Sequence, residues 1–256
     1  NDVIGMFEDS KDLTYYTDKL KELGYDKPYK KILLAKGEGE TKEGLKYLGN
    51  STNPYVVLFK AKSSDITNCQ INSGCSIILN DAFRETNLVS IVIPNTVKYV
   101  GVNAFCDCSR LGSVTISSSM KIIEAGLFYS CEALNNVSIP NSITEIGGNA
   151  FYWCIGLKQV TLPSTITTIR YNAFNYCSNL ESINIPISVS VIENYAFTFC
   201  KKATITCDAT EMPDGWSENW NSNGGTPVWN TSGQTNPGNN DNPVATSDFT
   251  FKITNS

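Results

Sequence analysis

The sequence predicts an α/β-type solenoid, with a parallel β-sheet on one face and short helical turns and loops elsewhere, mostly β and irregular. Three observations predict it. Phe105, Phe128, Phe151, Phe174 and Phe197 stand 23 residues apart. Cys108, Cys131, Cys154, Cys177 and Cys200 keep the same period three residues later. Between them recurs a short stretch in which apolar and polar residues alternate, as they do in a strand with one buried face.

A repeat of 20 to 29 residues is the signature of a leucine-rich-repeat solenoid. Aligned on the alternating stretch, the copies run Ile66–Ile71, Leu88–Ile93, Leu111–Ile116, Leu134–Ile139, Leu157–Leu162 and Leu180–Ile185, with a shorter seventh at Ala203–Cys207. The pattern is L-x-x-I-x-I. Seven such strands, stacked in parallel at about 4.8 Å, make a sheet roughly 30 Å long. Proline follows at 94, 140, 163 and 186; it fixes φ, lacks a ladder donor and turns the chain. A second apolar pair comes next, such as Val97 and Val100 or Ile143 and Ile146, and then an Ala-Phe unit. Asn103, Asn149 and Asn172 precede three of these units and Asp81 the first. Short polar side chains suit such a corner, and stacked copies are expected to form a hydrogen-bonded ladder.

Residues 1–65 do not repeat. Ser10 suits a helix N-cap, and Leu13, Tyr16, Leu20 and Leu23 follow at helical spacing. Lys31–Ala35, Leu45–Leu48 and Tyr55–Phe59 read as short strands, the last two flanking a turn at 49–54. A solenoid must cover its open end, so 1–65 is expected to be an N-terminal cap; the alternative is an independent small domain. The repeats span 66–207. Residues 208–229, with Trp216, Trp220 and Trp229, read as a C-terminal cap. Residues 230–256 begin as a flexible linker rich in Asn, Gly, Ser, Thr and Pro. Asp248–Ile253 then alternates like a strand, either folding back or opening a further module.

The unit Ile139-Pro140-Asn141-Ser142-Ile143-Thr144-Glu145-Ile146-Gly147-Gly148-Asn149-Ala150-Phe151-Tyr152-Trp153-Cys154-Ile155-Gly156-Leu157 resembles the BspA-like class of leucine-rich repeats, and the resemblance covers roughly 66–207. Ser117 stands where that class has proline, and Leu127 where it has alanine. The resemblance implies a secreted or cell-surface bacterial protein that adheres to protein or glycan on host or microbial surfaces, with no catalytic residues. A structural spacer that displays a neighbouring module is the alternative.

Composition agrees with a binding role. The net charge is −5 and the pI about 4.9, which does not suggest a nucleic-acid partner. The 11 lysines within residues 1–65 are balanced by 11 acids. No apolar run is long enough for a membrane helix. Asn1-Asp2-Val3 does not read as a secretory leader, and a mature or trimmed chain is expected. With no histidine in the chain, Ser-His-Asp and Cys-His arrangements are excluded. No cofactor or metal is expected, and a monomer is.

The nine cysteines cannot all pair within one chain. The five periodic ones are expected to be buried packing groups rather than a redox site. A bridge between Cys69 and Cys75 is left open, and Cys207, in the place of the strand isoleucine, is expected to be buried. Two surfaces remain as candidate binding sites. One is the neutral outward face of the sheet, centred on Thr115, Ser138, Thr161 and Asn184, with no carboxylate to act as general acid or base. The other is a row of aromatics before the cysteines: Trp153, Tyr176 and Phe199, with Tyr129 and Tyr152 nearby. The alternatives are a merely solvated β face and edge packing along the solenoid. Arg170 and Glu193 hold equivalent positions in adjacent repeats and are expected to pair, contributing ~0–1 kcal/mol.

Overall fold

The computed structural model describes residues 41–42, 44–48, 56–61 and 63–231. The helix expected after Ser10, the strand at 31–35, the turn at 49–54 and the alternating segment 248–253 lie outside these residues.

Each turn of the solenoid contributes two strands. The longer set is β5 (Ser90–Val92), β7 (Ser113–Thr115), β9 (Asn136–Ser138), β11 (Gln159–Thr161), β13 (Ser182–Ile185) and β15 (Thr204–Cys207), closed by β16 (Pro227–Trp229). The shorter set is β4 (Ile77–Ile78), β6 (Tyr99–Val100), β8 (Ile122–Ile123), β10 (Glu145–Ile146), β12 (Thr168–Ile169) and β14 (Val191–Ile192). Within each set the pairing is parallel, for instance Val137 with Val160 and Ile146 with Ile169, and is interrupted only between β6 and β8 and between β7 and β9. Ahead of them, β1 (Thr41–Lys42), β2 (Leu45–Leu48) and β3 (Val57–Ala61) pair antiparallel in order, and β3 then runs parallel to β4.

Three expectations change. Ile66–Ile71 has the strand pattern but forms no strand; the Val89 N–H to the Thr67 carbonyl, 2.9 Å, is its bond to the next turn. Residues 227–229, expected only to cover the end, add a strand beside β15. Among the described residues there is no helix where short helical turns were expected. The later member of each second apolar pair, such as Val100, Ile146 or Ile169, lies in a two-residue strand.

The remaining corner is the turn around each phenylalanine. The residues two before Phe (Asp81, Asn103, Gly126, Asn149, Asn172, Tyr195) and two after it (Glu85, Asp107, Ser130, Trp153, Tyr176, Phe199) all have φ between 53 and 63°. Left-handed residues at both ends stop a helix from propagating. They also point alternate N–H groups in two directions. In the turn of Phe151, the N–H groups of Asn149, Phe151 and Trp153 donate to Tyr171, Ala173 and Asn175 of the next turn, at 2.8–2.9 Å. Those of Ala150, Tyr152 and Cys154 donate back three residues within the turn, at 3.1–3.2 Å. The ladder at this corner is therefore made by the backbone, not by stacked Asn side chains.

Phe83, Phe105, Phe128, Phe151, Phe174 and Phe197 hang inward from it and stack at centroid separations of 4.9–5.7 Å, with Trp220 edge-on against the last. The five periodic cysteines are fully buried with free thiols. Each thiol donates to the phenylalanine carbonyl of the preceding turn: Cys108 to Phe83, Cys131 to Phe105, Cys154 to Phe128, Cys177 to Phe151 and Cys200 to Phe174, at 3.0–3.2 Å. A small group that is apolar enough to bury and still donates weakly fits this position. Thr86 takes the position in the first copy, but its hydroxyl donates to Phe83 O of its own turn at 2.7 Å. Cys75 is also free, its thiol donating to Ile77 O at 3.2 Å, so no Cys69–Cys75 bridge forms. Burial pushes Cys75 and Cys207 up to about 12, and Cys131, Cys154 and Cys177 well above the ordinary value.

Ser117 keeps the turn that proline makes elsewhere. Its hydroxyl donates to Val97 O at 2.6 Å and accepts from Ser119 N–H at 3.1 Å, and the bond from Met120 N–H to Ser117 O matches that from Ile143 N–H to Pro140 O. Leu127 is buried without disturbing its corner.

Three outcomes test this packing. A thiol reagent is expected to label at most two cysteines in the native protein; five fast-reacting thiols would contradict the buried spine. Phe151→Ala is expected to cost about 3–5 kcal/mol in chemical denaturation. The thiols of Cys75, Cys131, Cys154, Cys177 and Cys207 stay protonated when folded but ionise near 9 when unfolded. Their contribution is thus whole below pH 9, and unfolding free energy should fall between about pH 9 and 12, by up to ~1.4 kcal/mol per pH unit per thiol.

Candidate functional site

The outward face of the longer sheet is neutral. Thr115, Ser138 and Thr161 are exposed. Ser138 and Thr161 sit side by side in register. Thr115 is in the separate β5–β7 pair, which does not bridge to β9. Asn184 is half-buried, and its carbonyl oxygen already accepts from the Thr206 hydroxyl at 2.8 Å. The row is bounded by exposed Val92 at one end and Val228, beside Thr206, at the other. Val228 was not legible, because β16 lies outside the repeat.

At the N-terminal end of this face, where Ile66–Ile71 leaves the sheet, a cleft of about 320 Å³ is lined by Asn68–Ile71, Ser90–Val92 and Pro94. No lining side chain is charged. No local pattern announces such a cleft, since it depends on the failure of one segment to pair.

The aromatic row forms a continuous ridge on the phenylalanine corner. Trp153 lies 4.7 Å from Tyr176 and Tyr176 4.4 Å from Phe199, centroid to centroid. A second rank joins it: Tyr129 stacks on Tyr152 at 5.0 Å, and Tyr152 meets Tyr176 edge-on at 5.7 Å. Lys201 Nζ stands 5.9 Å over the Phe199 ring. Trp153 is 38% exposed, and Tyr176 and Phe199 are half-buried. The backbone beneath all three is left-handed, with φ of 60, 63 and 60°. Sequence reasoning placed these side chains together but did not reach this backbone, because bulky residues do not advertise it as Asn does.

Arg170 and Arg84 are committed to ion-pair clusters. Arg170 holds Glu145 through two nitrogens at 2.8 and 3.2 Å and Glu193 at 2.8 Å, spanning three turns. Arg84 lies 3.3–3.4 Å from Asp81, Glu85 and Asp107. Both clusters are partly exposed, so each ion pair adds little stability. Burial, and then the Asp107 carboxylate that its thiol faces, push Cys106 up to about 12, away from a reactive thiolate. Among the described residues, no group of three or more Cys, Asp and Glu could hold a metal ion.

The BspA type leucine rich repeat region, in six copies, matches residues 76–204. Among solved structures, a leucine rich repeat protein of T. pallidum is similar at 22% identity and TM-score 0.54, covering 67% of this chain and 74% of that one. A leucine rich cell surface protein of Faecalibacterium prausnitzii is similar at 28% identity and TM-score 0.50, covering 70% of this chain and 56% of its own. A leucine-rich repeat protein of Eubacterium ventriosum matches at 22% identity and TM-score 0.53, covering 72% and 54%. The chain thus spans little more than half the length of the last two. No curated protein matches it. The repeated Phe–Cys corner, the parallel strand stacks and the six matched copies together establish that the chain belongs to the BspA-type leucine-rich repeat family.

Proposed function

We propose that the chain is a binding module of a bacterial cell surface, capped by 1–65 and 208–229. It engages protein or glycan through the ridge of Trp153, Tyr176 and Phe199 and the adjoining sheet face. The observation that carries this reading is the left-handed backbone under three bulky aromatics. Such a conformation costs roughly 1–2 kcal/mol for a residue with a side chain. Stacking against a neighbouring ring returns only ~0.5–1.5 kcal/mol. The earlier turns place Glu85, Asp107 and Ser130 at the same position. In the matching column before Phe, where Asn suffices three times, Tyr195 is the single bulky exception. The left-handed φ belongs to the frame of every turn, and stability alone does not select aromatics to fill it in the last three. The similarity to a leucine rich cell surface protein supports the location.

Tyr176→Asn separates the two roles. It is expected to change unfolding free energy by less than about 1 kcal/mol, because relief of the backbone offsets the lost stacking. On protein and glycan arrays, Tyr176→Asn and Trp153→Ala should each weaken binding at least about tenfold. Binding unchanged in both variants removes the ridge from the site, and no binding by the wild-type chain favours a display role.

A further inference from the structure

Four exposed charges beside the aromatic ridge fall into two columns, while Lys202, next to Lys201, is held by Asn179 Oδ1 at 2.6 Å. Glu132 and Lys201 occupy one column, each four residues after the phenylalanine of its turn; Lys158 and Glu181 occupy another, each seven residues after. None of the four forms an ion pair with another described residue. The columns run straight because the turns stack in register. Glu181 N–H donates to Lys158 O at 2.9 Å, and the N–H groups of Trp153 and Tyr176 donate to Asn175 and Thr198 at 2.9 and 3.0 Å.

The order of the signs is informative. About the midpoint between the turns of Phe151 and Phe174, each column has an acid at one distance and a base at the same distance on the other side. A two-fold axis lying along the ridge surface at that midpoint, parallel to the strands, reverses the order of turns and keeps every side chain in its column. It sets Glu132 opposite Lys201 of a second copy and Lys158 opposite Glu181 of that copy, each pair occurring twice. It also sets Trp153 against Tyr176 of the second copy. Moving the axis by one turn places Glu132 opposite Ile155 and Lys158 opposite Asn135, or Lys201 opposite Ser178 and Glu181 opposite Thr204, and every charge pair is lost.

The rings favour a protein partner over a sugar. Both faces of Tyr176 are covered, by Trp153 at 4.7 Å and Phe199 at 4.4 Å, tilted 39° and 31°. A sugar ring stacks on an open aromatic face, and the middle of this ridge offers ring edges instead. Edges pack well against other aromatic side chains. From the charge order and the ring geometry we infer that the ridge is a self-complementary surface on which two copies of this chain associate antiparallel. A two-fold contact of this kind buries the same patch on both copies. The inference rests on reading the ridge as a contact surface, and it differs from the monomer expected from sequence.

Sedimentation of the full chain at concentrations up to about 1 mM tests it. The wild type should dimerise, more weakly in high salt. Glu132→Lys and Lys201→Glu should each weaken the dimer about tenfold, since each sets like charges together twice; the double variant should return to within about threefold of wild type. Trp153→Ala should also dissociate the dimer. A wild type that stays monomeric throughout overturns the inference, as does a double variant no better than the single ones. A monomer whose array binding is nevertheless lost with Trp153→Ala overturns the second copy as partner and leaves the ridge as a binding surface.

Discussion

The structure depends on the backbone ladder of the phenylalanine corner. Each turn donates three N–H groups to the next from the residues at Phe −2, Phe and Phe +2, at 2.7–3.1 Å from Asp81 through Tyr176. Both strand stacks break, between β6 and β8 and between β7 and β9. The corner ladder does not: Asn103, Phe105 and Asp107 donate to Ala125, Leu127 and Tyr129 across that same step at 2.8–3.0 Å. Buried backbone groups must be paired, and here the pairing fixes the length of the corner itself; Phe83 and Phe105, one residue closer in sequence than the later copies, keep the same three bonds. A turn one residue longer at this corner would exchange the N–H groups that point out with those that point within.

Much of the rest follows from that constraint. The phenylalanines stack because their N–H groups all reach the next turn in the same register. The cysteines are small and buried because each thiol reaches the phenylalanine carbonyl of the preceding turn, which also accepts a backbone N–H from its own turn. The same geometry forces φ positive on either side. On the solvent side of Phe +2, the chain is free to choose what it displays. Charged and short residues stand there in the first three turns and aromatics in the last three, so the ridge is a local decoration on a uniform frame.

The sequence made the frame legible where a residue type reports its own environment. The Phe and Cys period, the buried second apolar pairs and the Asn corners could all be read directly. It misled where pairing between turns decides. Ile66–Ile71 has the same alternation as its neighbours, yet alternation reports burial and not register. The corner resembles a helical turn because Ala, Phe and Cys follow helical spacing and alternate N–H groups do bond three residues back; its left-handed ends are announced by Asn103 and Asn149 but hidden by Trp153 and Tyr176. Cys69 and Cys75 could not be resolved from spacing, since the carbonyl that satisfies Cys75 belongs to a strand the pattern did not mark. Of the candidate site, the aromatic residues were legible, while the strain beneath them and the tie between Asn184 and Thr206 needed coordinates.

Amide hydrogen exchange of Phe105, Phe128, Phe151 and Phe174 tests the central claim most directly, that the corner ladder holds the stack together. All four N–H groups should exchange at one slow rate whose free energy equals that of global unfolding. Exchange of Phe105 or Phe128 at rates faster than the strand amides beside them would show that the stack is held by its sheets, and would contradict the account.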